Sequence, residues 1–161
     1  YVALSGMLSR LGSKDQNPFP PINLLADFAG GGLNAAFGIM LALHERHTSG
    51  KGQVIDCSMA EGTAYVSSFI FKGQGLPYLN GTKRGENMLD GSAHFYNTYK
   101  TRDDKYIAVG PIEPKFYKEF IRGLSLEGEP VATDQLNYFE EYKKQIADRF
   151  ATKTRDEWVT I

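Results

Sequence analysis

The chain has 161 residues, with 18 Lys and Arg against 19 Asp and Glu for a net charge of −1, so there is no electrostatic case for nucleic acid or an anionic membrane surface as partner. Hydrophobic residues make up 42%, an ordinary share for a globular protein, and no apolar run reads as long enough to span a bilayer. A single cysteine, Cys57, excludes an intrachain disulfide and points to a reducing compartment.

Residues 1–11 are mixed apolar and small, and 12–21 form a loop rich in Gly, Asn and Pro. A long helix is expected from about 23 to 46. Leu33, Ala36, Phe37, Met40 and Leu41 recur at the spacing of a buried face, and the length and apolarity of the run suggest contacts on more than one side. His44, Arg46 and His47 suit its negative pole. Residues 53–57 read as a short strand, and Ser58 with Glu61 has capping-box spacing for a second helix to about residue 71.

From 72 to 92 the glycines and Pro77 rule out regular structure over most of the interval, which divides the chain into residues 1–71, a linker, and residues 93–161. Residues 94–100 and 105–110 then read as a hairpin around Thr101-Arg102-Asp103-Asp104. Pro114 suits the first position of a helix to about 122, with Gly123 as its C-terminal cap. Residues 134–150 read as a charged amphipathic helix with Leu136, Phe139, Tyr142, Ile146 and Phe150 on or near one stripe, and Thr154 with Glu157 repeats the capping-box spacing. The chain begins without Met and stops inside a helical pattern, so it reads as an internal segment of a longer protein.

Two acids stand out. Asp27 is a lone carboxylate in a run that otherwise reads as core from Ile22 to Leu43, beside Gly30-Gly31-Gly32. Burying it would be costly unless something holds the charge, and a first helical turn offers free N–H groups and a partial positive charge. Two roles fit: a helix cap, or an ionised acid facing a slot beside bare glycine backbone, as a general base or nucleophile requires. Glu113 lies where a strand ends and a helix begins, and it reads either as a helix N-terminal acid or as a presented functional group. His44 and His47 read as solvated, and His94 as a surface or packing residue. Neither Gly30-Gly31-Gly32 nor Gly50-Lys51-Gly52 completes a nucleotide motif, and the scattered histidines and single cysteine offer no metal cluster. Lys83-Arg84 reads as a solvated loop or a phosphate contact, and Met88 and Tyr96 as core or pocket residues.

Asn23-Leu24-Leu25-Ala26-Asp27-Phe28-Ala29-Gly30-Gly31-Gly32 closely resembles the α-methylacyl-CoA racemases of the family III CoA-transferase superfamily. Gly50-Lys51-Gly52-Gln53-Val54-Ile55-Asp56, Met59-Ala60-Glu61-Gly62-Thr63-Ala64-Tyr65, Asn87-Met88-Leu89-Asp90-Gly91 and Val109-Gly110-Pro111-Ile112-Glu113-Pro114-Lys115-Phe116-Tyr117 carry the same resemblance in the same order. It implies an α/β fold, with part of a Rossmann-like large domain followed by part of a smaller α+β domain. It implies epimerisation of branched 2-methylacyl-CoA thioesters, including fatty-acid and bile-acid precursors, through an enolate formed between two bases. Asp27 falls on one base, and Glu113 falls on the acid that supports a histidine acting as the other. That histidine would precede Tyr1, and His44, His47 and His94 do not match it. Tyr1 aligns with a tyrosine near the CoA site. Gly30, at the helix start, is the expected source of backbone donors for the enolate oxygen.

CoA is part of the substrate, so no separate cofactor is implied. The resemblance further implies an interlocked homodimer in mitochondria or peroxisomes, and inactivity of this segment alone. The alternatives are a family III CoA-transferase with Asp27 as nucleophile, which Ile112-Glu113-Pro114 disfavours, and a noncatalytic dimerisation module.

Overall fold

The computed structural model describes residues 1–76, 83–137 and 140–161. They divide into two compact units, one built on Tyr1–Leu76 with Lys83 and Arg84, the other on Gly85–Ile161.

The first unit is organised around a helical run from Leu24 to Ser49. It opens as a ten-residue π-helix, Leu24–Leu33, and continues as helix α1, Asn34–Ser49. The wider winding shows in the first bond, where Phe28 N–H reaches back five residues to the Asn23 carbonyl at 3.1 Å. Gly50 closes α1 in the left-handed conformation at φ 71°, its N–H on the Arg46 carbonyl at 2.9 Å. Two shorter helices follow, α2 at Met59–Val66 and α3 at Ser68–Lys72. The expected single helix to residue 71 is thus interrupted at Ser67. Ser58 caps α2 as its spacing predicts, its hydroxyl accepting the Glu61 N–H at 3.2 Å. Residues 53–57, expected as a strand, are irregular.

The face that the long helix packs is not the one its large residues suggested. Small residues make the close contacts: Gly30 lies against Gly62 and Thr63 of α2, Gly31 against Met59, and Gly38 against Ile55. Leu33, Phe37, Met40 and Leu41 are all more than half exposed. Hydrophobic periodicity located a stripe, but small residues permit the closest backbone approach, and α2 took that side instead. The combined 26-residue run is also long and apolar enough, by length and composition, to cross a membrane. That corrects the expectation that no apolar run reaches bilayer length. Arg84, read as a solvated loop residue, is engaged: its guanidinium donates to the carbonyls of Ser9, Ser13 and Gln16.

In the second unit, β1 (Asn97–Lys100) and β2 (Tyr106–Val109) pair antiparallel, with Asn97 opposite Val109 and Lys100 opposite Tyr106. The hairpin is present but shorter than expected. Helix α4 spans Pro114–Gly123, with Leu124 rather than Gly123 at its C-cap. A 3-10 turn at Pro130–Ala132 leads to α5, Glu140–Phe150, and α6, Arg155–Val159. The amphipathic helix therefore begins later than the expected residue 134, and Phe139 of its stripe lies outside the described residues. Thr154 and Glu157 form the full reciprocal capping box.

The core of this unit is aromatic. Phe95, Tyr99, Tyr117, Phe150 and Trp158 pack with Ile121, Leu126, Val131 and Ile146, Tyr99 stacks on Phe150, and the Trp158 indole N–H donates to the Phe150 carbonyl at 2.9 Å. Met88, within the interval read as linker, is buried in this core, while residues 77–82 of that interval lie outside the described residues. The hairpin turn is tied to the start of α6 by the Asp103 carboxylate, which accepts the Arg155 N–H at 2.9 Å and the Thr101 hydroxyl at 2.7 Å.

His94 is fully buried and is a packing residue. Its Nε2 lies 2.9 Å from the Tyr117 hydroxyl, which itself donates to the Val131 carbonyl. With the phenolic hydrogen committed, His94 Nε2 must be the donor, which leaves Nδ1 as a buried nitrogen without a hydrogen-bond partner among the described residues. Burial lowers the His94 pKa to about 4, against an opposing pull from Asp134. The folded state therefore keeps His94 neutral while the unfolded chain protonates near its ordinary 6.5. Stability contributed by this group is intact above the ordinary value and falls as pH drops from 6.5 towards 4, by about 3 kcal/mol in total. Urea midpoints between pH 7 and pH 5 should fall for the wild type and stay level for His94→Phe. Parallel declines would show that His94 does not set this window.

Candidate active site

The two acids share a condition that neither capping role predicts. Asp27 lies in the first turn of the π-helix, but its side chain is exposed and no hydrogen bond to its carboxylate is seen among the described residues. The residue at the cap position is Asn23, and it makes no side-chain cap bond either. The premise of a buried, desolvated Asp27 is therefore corrected, and so is the cap. What the fold does provide is an unusual support. A π-helical turn is an uncommon winding that recurs at functional sites. Just before its N-cap Asn23, the β-branched Ile22 is held at φ 53°, a conformation such residues rarely adopt and one in which backbone strain is stored.

Glu113 occupies the N-cap position of α4 with φ −72° and ψ 140°, and makes no side-chain cap bond. Its carbonyl, not its carboxylate, serves the helix, accepting the N–H groups of Phe116 and Tyr117 at 2.9 Å each. The carboxylate is exposed. Both acids are thus fixed through their backbones while their carboxylates are exposed, with no hydrogen bond to either seen among the described residues, as a group awaiting a ligand or partner requires.

Of the other expected residues, Gly30 is buried, and its carbonyl accepts the Asn34 side-chain amide at 3.1 Å. The close approach that its missing side chain permits is made by Gly62: a Cβ added at Gly62 would stand 1.9 Å from the Gly30 oxygen. A shallow hollow of about 280 Å³ opens beside this crossing, between Asn34, Gly38, Asp56 and Glu61. Met88 is a core residue. Tyr96 is partly exposed and its ring lies over Gly110, three positions before Glu113. Tyr1 is exposed. His44 and His47 are exposed near the C-terminal end of α1, as their solvated reading predicts. No group of side chains able to hold a metal ion occurs among the described residues.

Sequence reasoning missed Gly62 and Gln135. A glycine inside the Met59–Val66 helical pattern was the available signal for the first, since it weakens a helix unless packing requires it. Gln135 gave none: its amide meets the backbone just before Glu113, a contact between distant parts of the sequence.

The sequence profile of CoA-transferase family III matches residues 1–161, the whole chain. Over all of its length the chain is 54% identical to the α-methylacyl-CoA racemase of Mus musculus and 53% identical to that of Homo sapiens, and spans 42% of the length of each. It is 27% identical to the mouse succinyl-CoA:glutarate CoA-transferase, with 99% of this chain and 37% of that one aligned. Among solved structures, the Mycobacterium tuberculosis protein Rv3272 superposes with a TM-score of 0.70 at 20% identity, over 99% of this chain and 41% of that one. A CaiB/BaiF family protein from Brucella suis gives 0.69 at 19% identity, over 99% and 43%. At those identities the structures speak for the fold, and the fold is the expected family III architecture. The chain belongs to CoA-transferase family III.

Proposed function

We propose that the full-length protein interconverts the epimers of 2-methylacyl-CoA thioesters, and that this chain supplies one base and the support of the other. The observation that carries this is the identity of 53–54% to two α-methylacyl-CoA racemases across every residue of the chain, about twice that to the CoA-transferase. The exposed carboxylates of Asp27 and Glu113 agree with it.

The chemistry follows from the thioester. Its carbonyl acidifies the neighbouring C–H, so a base on one face removes the proton as an enolate forms, and an acid on the other face returns one. Inversion needs a group on each side. Asp27 takes one face. On the other, Glu113 orients and tunes a histidine supplied from outside this chain, so the 161 residues alone should not epimerise substrate. CoA enters as part of the substrate and no further cofactor is required. The protein acts as a homodimer, in which the exposed Leu33, Phe37, Met40 and Leu41 of the long helix are covered by protein rather than lipid.

The test is a single epimer of a 2-methylacyl-CoA in heavy water with the full-length protein. Deuterium should appear at the α-carbon and both epimers should accumulate with the thioester intact. Thioester exchange onto an added carboxylic acid, without α-deuterium, would favour the transferase reading.

A further inference from the structure

The segment that delivers Glu113 leaves β2 without a ladder to follow and enters α4 only at Pro114. Between them the chain turns tightly, with Ile112 N–H on the Gly110 carbonyl at 2.9 Å. The carbonyls of Pro111 and Ile112 are met by one side chain: Gln135 Nε2 donates to them at 3.2 and 2.8 Å. Both amide hydrogens are used, which fixes the orientation of the amide, since its oxygen has nothing to offer two carbonyls.

Gln135 is itself well anchored. It follows the turn Pro130–Ala132, and its neighbour Asp134 accepts the Tyr142 hydroxyl of α5 at 2.9 Å and the Asn137 side-chain amide. On the other side of Glu113, the first turn of α4 is held by Tyr117, whose ring is buried and whose hydroxyl joins His94 to the Val131 carbonyl. Glu113 is thus an exposed side chain on a stretch of backbone restrained upstream by Gln135 and downstream by Tyr117.

We infer that Gln135 is a positioning residue for the proposed reaction: by holding the Pro111 and Ile112 carbonyls it sets the direction in which the Glu113 carboxylate leaves the start of α4. This rests on the role proposed above for Glu113. A purely structural bond on a half-buried loop would show in stability alone. A positioning bond shows in turnover, because proton transfer is steeply sensitive to small misplacements of the groups involved.

Gln135→Met keeps the length and removes the donors. In the full-length protein it should lower kcat for epimer interconversion about tenfold, with KM and the thermal midpoint nearly unchanged. In a Glu113→Gln background the same substitution should have no further effect on kcat, because its route to the chemistry is already gone. An unchanged kcat for Gln135→Met beside a clear loss for Glu113→Gln would overturn the inference alone. Equal losses from Gln135→Met in both backgrounds would also overturn it. If Glu113→Gln leaves interconversion intact, the role of Glu113 falls, and this inference with it.

Discussion

Asp27→Asn in the full-length protein should slow epimer interconversion by about 10²- to 10⁴-fold, the usual contribution of a positioned acid or base, with little change in KM. The amide matches the carboxylate in shape but cannot take up a proton. Because Asp27 makes no hydrogen bond seen among the described residues and is exposed on its π-helical turn, its replacement removes no packing or capping contact, and the loss should appear without destabilisation. The two epimers should respond differently. α-Deuterium exchange should vanish from the one whose C–H faces Asp27 and persist in the other, where the opposite base still removes and returns a proton. Unchanged exchange for both would remove Asp27 from the reaction.

A second large effect is structural. Gly62→Ala should destabilise the first unit by about 3 kcal/mol or more. The added methyl would stand 1.9 Å from the Gly30 oxygen, 2.7 Å from its carbonyl carbon and 2.8 Å from Asn34 Nδ2. Two of these are backbone atoms in a helix and cannot swing aside. The only relief is to lift α2 away, which opens the Gly30–Thr63 and Gly31–Met59 contacts as well. Gly52→Ala is the control, since a Cβ there meets nothing within 4 Å and should leave stability near the wild type. Urea unfolding of the two variants decides it, and equal midpoints would refute the crossing as described.

Much of this was legible in the sequence where the signal is local. The Thr154–Glu157 box and the Pro114 start of α4 depend on a few neighbouring residues and formed as read, and the hairpin around residues 101–104 formed with shorter strands. Asp27 and Glu113 stood out as charges near element junctions, and both carboxylates are exposed in the structure. What failed depended on partners far along the chain. Nothing near Phe37 or Met40 announces that the small face of the long helix would be taken by α2, leaving them exposed. The π-helical winding was hidden for a related reason: its residues satisfy a helical pattern, and the difference lies in a hydrogen bond one residue longer. His94 could be placed as a packing residue, but its bond to Tyr117 spans 23 positions. Residues 53–57 have the composition of a strand and no neighbour to pair with among the described residues, so composition alone could not make them one.

The central claim is that the Asp27 carboxylate moves a proton and does not become acylated. It is tested most directly by following the carboxylate itself during turnover. The full-length protein is incubated with a 2-methylacyl-CoA and a free carboxylic acid in heavy water, quenched with hydroxylamine, and the peptide carrying Asp27 is weighed. A proton-transfer base leaves Asp27 unmodified while deuterium accumulates at the α-carbon of the thioester. A hydroxamate on Asp27, with no deuterium in the recovered substrate, would show a nucleophile that had formed an anhydride or thioester, and would contradict the account.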